Sequence, residues 1–177
     1  MIPVLFAGLL KKWGHKGPAE IEPKRLDTYT FCQWYADTHD IPFQMPQAHP
    51  FNPLSYLRLC IALGSTPQGI HDIFNFLWGE CPPVHQTEAI QGLAKRLGVT
   101  NLDQLLSDPK VKTELISNTE SAIEDGVYGV PTFVIDEQRF WGLDQMDMML
   151  DFLERGTMID AGEYARLTKL PYGSQRS

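Results

Sequence analysis

The most reactive side chains in the sequence are three thiols, Cys32, Cys60 and Cys81, and their spacing limits what they can do. Thiol–disulfide exchange needs Cys-x-x-Cys at a helix N-terminus, where one thiol loses its proton readily. No such pair occurs, so a thiol–disulfide oxidoreductase is rejected. Far apart and odd in number, the three read as buried, reduced thiols of a cytosolic protein. Cys81-Pro-Pro-Val-His85 could be grouped with His39, His49 or Cys60 as zinc ligands, but that spacing is not that of a structural site. Scattered surface histidines and a loop cysteine are the plainer reading, and no metal is assigned. Ser, His and Asp are all present without a Gly-x-Ser-x-Gly or similar turn to expose a nucleophile. Two charged side chains remain beside well-punctuated turns. Lys24 could pair with a carboxylate, and taken alone it is a solvated loop lysine. Asp144 stands where a helix N-cap belongs, and the same carboxylate could also accept an ammonium group.

The elements that must position these groups are densest over Gly126–Gly156. Gly129 ends a helical pattern, and Pro131 fixes its own φ while pushing Val130 out of the helical region. Thr132–Ile135 is β-branched or aromatic on both faces, which predicts a strand covered on both sides. Asp136-Glu137-Gln138 is a polar turn, and Arg139-Phe140-Trp141 returns as a second strand of a hairpin. After Gly142, Asp144 caps a helix with Asp147 in its first turn and Met146, Met149, Leu150 and Leu153 on its apolar stripe, closed by Arg155-Gly156.

The rest of the chain is helical between short loops. Met1–Trp13 opens on the apolar run Ile2–Phe6, and residues 15–25 read as a loop from their prolines and charges. A helix spans Leu26–His39, and Asp40–Phe51 is extended and proline-rich. Asn52-Pro53 starts a helix through Leu54, Leu57, Cys60 and Ile61 to Gly64. Thr66-Pro67 starts another, with Ile70, Ile73, Phe74, Leu77 and Trp78 inward. Glu88–Leu97, a short helix capped by Asn101 and a long one from Asp108-Pro109 to Asp125 follow. Residues 161–177 form a C-terminal tail, loose over Gly173–Ser177. The length of 177 residues and 43% hydrophobic content fit one packed domain, or a small domain carrying an insert. A net charge of −7 argues against nucleic acid and anionic membrane as partners. No apolar run approaches membrane-spanning length, and Met1–Gly14 lacks the features of a secretory leader.

Gly129-Val130-Pro131-Thr132 followed by a hairpin and Phe140-Trp141-Gly142-Leu143-Asp144-Gln145 resembles the second half of a thioredoxin fold. More narrowly, it is similar to the 2-hydroxychromene-2-carboxylate isomerase and kappa-class glutathione transferase group of the DsbA-like superfamily. Gly14-His15-Lys16-Gly17-Pro18 with Pro23-Lys24 is similar to that group's Gly-Asn-x-Pro-Pro loop and following lysine. His49-Pro50-Phe51-Asn52 is similar to its Phe-Pro-x-Asn lead into a helix. The resemblance implies an α/β, DsbA-like fold: a split thioredoxin-like domain over residues 1–20 and 121–160 with an all-helical domain inserted at 21–120. It implies a cis Val130–Pro131 peptide, glutathione as cofactor, and a glutathione site drawing on His15, Lys24, Val130, Pro131, Leu143 and Asp144. In it Val130 offers main-chain N–H and C=O to the cysteinyl part, Lys24 meets a carboxylate and Asp144 the γ-glutamyl amine. The implied reaction is glutathione-assisted cis–trans isomerisation of a small aromatic-derived substrate in the cytoplasm.

The sequence departs from the group at its start. The Ser-Pro-(Tyr/Phe)-Ser turn, whose first serine activates the glutathione sulfur, has no counterpart, so the catalytic residue is unassigned. Met1–Leu5 resembles the group's second strand, which leaves the thioredoxin-like part without its first strand and helix. Three explanations stand: a truncated gene product, a strand donated by a second chain, or a degenerate member with a rebuilt sheet. His15 replaces an asparagine, and Leu143-Asp144-Gln145 replaces polar-Asp-Arg. The alternative to an isomerase is therefore a non-catalytic DsbA-like module binding a thiol peptide or a protein. An unpaired edge beside Thr132–Ile135 predicts association through the sheet, most simply a homodimer.

Overall fold

The computed structural model describes residues 1–173, and the last four residues of the expected loose tail lie outside them. The chain divides into two compact units, Met1–Tyr128 and Gly129–Ser177.

The first unit is helical: α1 Phe6–Trp13, α2 Glu22–Thr38, α3 Leu54–Ala62, α4 Pro67–Phe74, α5 Thr87–Arg96, α6 Leu102–Ser107 and α7 Pro109–Glu124. Its starts are set by local chemistry. Asn52 Oδ1 accepts the Leu54 N–H at 3.1 Å ahead of α3, Thr66 Oγ1 the Gly69 N–H at 3.2 Å in α4, and Asp108 Oδ1 the Lys110 N–H at 2.8 Å in α7. The helix expected from Leu26 begins four residues earlier, because Pro23 sits in its first turn, where a missing N–H costs nothing. Lys24 is therefore on a helix and not in a loop. Leu59 on α3 and Leu93 on α5 are fully buried, with Ile70, Ile73, Phe76 and Leu77 closing the same core. The expected inward Phe74 is exposed, and Phe76 is buried instead. A π-helical turn over Asn75–Glu80 follows directly after Phe74. The strand expected at the N-terminus is absent. Residues 1–5 pair with no strand, Leu5 N–H is held by Thr119 Oγ1 at 3.0 Å, and Phe6 already belongs to α1.

The second unit contains β1 Thr132–Ile135, β2 Gln138–Trp141, α8 Met146–Arg155 and α9 Ala161–Leu167. The strands pair antiparallel, Thr132 opposite Trp141 and Ile135 opposite Gln138, as a two-stranded sheet. Asp136 and Glu137 both have positive φ, 46° and 66°, which makes the two-residue turn that matches strand twist and starts β2 at Gln138. Phe140 is buried, its ring 5.6 Å from that of Phe152 on α8. The expectation that β1 is covered on both faces fails, because Phe133 and Val134 are both exposed. The helix α9 was not legible as an element, although Asp160 Oδ1 caps it on the Gly162 N–H at 2.8 Å.

Candidate functional site

The hairpin ends in a turn that brings a peptide-like donor and acceptor next to a carboxylate. The Val130–Pro131 peptide is cis. Thr132 Oγ1 donates to the Gly129 carbonyl at 2.7 Å, and the Gly142 N–H donates to the Pro131 carbonyl at 3.0 Å, so Gly129–Thr132 is tied down on both flanks. Between those ties the Val130 N–H and C=O have no hydrogen-bond partner among the described residues. Gly129 must be a glycine here, since a Cβ on it would lie 2.3 Å from the Trp141 indole nitrogen.

Asp144 is not the N-cap of α8 that the sequence predicts. Leu143–Gln145 is a 3-10 turn, and Gln145 precedes the helix and spends its Oε1 on the Trp141 N–H at 2.8 Å. The Asp144 carboxylate folds back over Gly142, which has φ +82° and whose Cβ, if present, would meet Oδ1 at 2.6 Å. Gly142 is itself bonded to Pro131, so the carboxylate and the Val130–Pro131 peptide belong to one end of the hairpin. The carboxylate is exposed and has no partner among the described residues. Leu143 beside it is exposed. Val130, Pro131, Leu143 and Asp144 are thus brought together in the second unit.

The remaining two candidates lie in the first unit. Lys24 occupies the first turn of α2, exposed and without a side-chain partner among the described residues. A cation there opposes the helix dipole, so the helix gains nothing from it. His15 follows the left-handed Gly14 that ends α1, and its Nε2 lies 3.2 Å from the Tyr128 carbonyl. Trp13 Nε1 donates to the neighbouring Val127 carbonyl at 2.9 Å. His15 therefore helps hold the segment that leads to Gly129.

A second cluster was not legible in sequence. The Tyr29 hydroxyl lies 2.7 Å from His49 Nδ1, and the rings of Tyr29, Phe51 and Trp78 meet the imidazole edge-on at 5.4, 6.1 and 5.6 Å. Burial pushes the His49 pKa below its ordinary value. The thiols are less uniform than expected. Cys60 is buried and Cys32 half-buried, burial raising the pKa of both, while half-buried Cys81 donates to the Met45 carbonyl at 3.2 Å. No group of three or more His, Cys, Asp or Glu converges as a metal site among the described residues. No helix among them is long and apolar enough to cross a membrane.

Known proteins are similar to this chain over much of its length. The chain is 25% identical over 122 residues to a 2-hydroxychromene-2-carboxylate isomerase of Pseudomonas sp. (strain C18), 66% of this chain and 57% of that protein. It is 24% identical over 149 residues to the enzyme of that name from Sphingobium xenophagum, covering 79% and 74%. It is 23% identical over 170 residues to human glutathione S-transferase kappa 1, covering 85% and 75%. A solved 2-hydroxychromene-2-carboxylate isomerase superposes with a TM-score of 0.73 at 21% identity, over 93% of this chain and 81% of the other. The fold is thus the helix-rich, DsbA-like thioredoxin fold with a small sheet. The match to the Pseudomonas protein spans little more than half of its length. The DSBA-like thioredoxin domain matches residues 1–154, and the chain belongs to that family.

Proposed function

We propose that this chain is a glutathione-dependent isomerase of the 2-hydroxychromene-2-carboxylate isomerase type, acting on an aromatic-degradation intermediate in the cytoplasm. The observation that carries the reading is the unpartnered Val130 N–H and C=O beside a cis proline, at the hairpin end that also holds the unpartnered Asp144 carboxylate. These groups fit the tripeptide by type. Val130 pairs with the cysteinyl main chain, Pro131 and Leu143 border it, and Asp144 accepts the γ-glutamyl ammonium. Lys24 contributes the cation for a carboxylate, and His15 steadies Val127–Tyr128 next to the hairpin. When bound, glutathione supplies a thiol that adds transiently to a conjugated bond and frees it to rotate. The names of the relatives support this substrate class.

A second reading is a non-catalytic module that binds a thiol peptide or a protein, since the unpartnered Val130 N–H and C=O suit any extended peptide. Glutathione-dependent interconversion of 2-hydroxychromene-2-carboxylate and its ring-opened isomer, followed spectroscopically, separates the two. Calorimetry tests what they share. Glutathione binding that weakens in Asp144→Ala is expected, and binding indifferent to both Asp144→Ala and Lys24→Ala overturns the assignment.

A further inference from the structure

The Val130 N–H and C=O serve a ligand in proportion to how firmly they are held before it arrives. The Gly129 carbonyl and the Val130 N–H belong to one planar trans peptide. The Thr132 Oγ1 bond to that carbonyl at 2.7 Å therefore turns the N–H the opposite way. On the other flank the Gly142 N–H fixes the Pro131 carbonyl at 3.0 Å. Neither bond restrains the Gly129 Cα, but the indole of Trp141 does. A Cβ on Gly129 would lie 2.9 Å from Trp141 Cε2 and 3.1 Å from Cδ1, so the pyrrole edge of the ring rests directly on the main chain. Trp141 is held in turn by its place opposite Thr132 and by Gln145 Oε1, which accepts its N–H at 2.8 Å. The φ of Gly129 lies outside the left-handed region, so its backbone conformation would accept an alanine. Glycine loses more conformational freedom on folding than any other residue, and here only the indole contact requires one.

We propose that Trp141 is a positioning residue for peptide binding: its indole clamps Gly129 and so preorganises the Val130 N–H and C=O for an extended thiol peptide. For the ligand the inference rests on the glutathione reading; for the mechanism it rests on the contact between Gly129 and Trp141. The two residues form a matched pair, since a side chain on one displaces the ring of the other. The β1–β2 ladder is made of main-chain bonds and does not need the indole. Removing the ring therefore acts on the segment before Pro131 more than on the hairpin as a whole. Without the clamp, the ligand has to order one more main-chain unit as it binds, which is worth about tenfold in affinity.

The test combines backbone amide relaxation by magnetic resonance with ligand-observed titration of glutathione, both on the full chain. Trp141→Leu keeps an apolar side chain on the strand but withdraws the ring from Gly129, and Trp141→Ala repeats the comparison if the leucine variant misfolds. In the wild type the Val130 amide should show the order parameter of rigid backbone, about 0.85. In Trp141→Leu it should fall toward about 0.6, with Phe140 unchanged, and glutathione affinity should drop about tenfold. Gly129→Ala in the otherwise native chain should lower both readings, because the new Cβ displaces the ring. Added to Trp141→Leu, the same alanine has room and narrows the freedom of residue 129, so both readings should partly recover. A role confined to hairpin stability would shift the melting temperature and leave Val130 order and affinity at wild-type values, which overturns the proposal. So does a Val130 that is already mobile in the wild type, or a double variant no better than Trp141→Leu. A wild type that binds no glutathione overturns the ligand reading and the proposal with it. A wild type and a Trp141→Leu variant that bind equally well overturn the proposal alone.

Discussion

Asp144 is available to a ligand because Gly142 lets its carboxylate fold back. At φ +82° and ψ 175°, Gly142 occupies a region that side-chain-bearing residues scarcely enter, and a Cβ would lie 2.6 Å from Asp144 Oδ1. Gly142→Ala should therefore cost about 1–3 kcal/mol of stability, read as a lower melting temperature. It should also displace the carboxylate, so its glutathione affinity should fall about as far as that of Asp144→Ala. An alanine variant with native affinity would show that the carboxylate position is irrelevant to binding. The buried Phe140 offers a contrast, since its removal touches packing and no free polar group. Phe140→Ala should cost about 3–5 kcal/mol in denaturant unfolding, the range for deleting a buried ring.

Among the elements, the segment His49–Phe51 carries the clearest pH dependence. Burial lowers the His49 pKa in the folded chain, so the unfolded chain binds more protons as the imidazole titrates. Stability from this site is fully present above the unfolded value of about 6.5 and declines as pH falls from there toward the lowered folded value. The melting temperature of the wild type should thus drop from pH 7 to pH 5 more steeply than that of His49→Phe; equal slopes would assign the acid lability to other groups. The helix starts were legible because each is a local event. Asn52, Thr66 and Asp108 accept N–H groups two or three residues away, and proline at the start needs no tertiary partner. The hairpin was legible for the same reason, since its turn residues and β-branched run are contiguous. What sequence could not supply came from packing at a distance. The π-helical turn over Asn75–Glu80 is a change of helical phase with no marker in composition. The bonds of Tyr29 to His49 and of His15 to Tyr128 join residues 20 and 113 positions apart. The reading of β1 as doubly covered failed because apolarity shows what a strand is able to pack against and not what is there.

At the scale of the whole molecule, affinity for glutathione should follow from contributions that each unit makes with its own residues. An exposed ion pair of the kind Lys24 can form contributes roughly 0–1 kcal/mol. A charge-assisted hydrogen bond at Asp144 contributes about 1.5–3 kcal/mol if water is excluded from it, and less because the carboxylate is exposed. Main-chain pairing at Val130 adds one or two neutral bonds of about 1 kcal/mol each. Opposing these, ordering a flexible tripeptide costs several kcal/mol on top of lost overall motion. The balance lies at or below the roughly 4 kcal/mol that corresponds to millimolar dissociation. Calorimetry or ligand-observed resonance titration on the wild type, Lys24→Ala, Asp144→Ala and the double variant checks this. Each single substitution should weaken binding, Asp144→Ala more than Lys24→Ala. The losses should add in the double variant, because the two side chains address opposite charges of the ligand. Micromolar binding by the wild type would demand a further contact beyond these groups, and loss of binding in neither variant would place the peptide elsewhere on the chain.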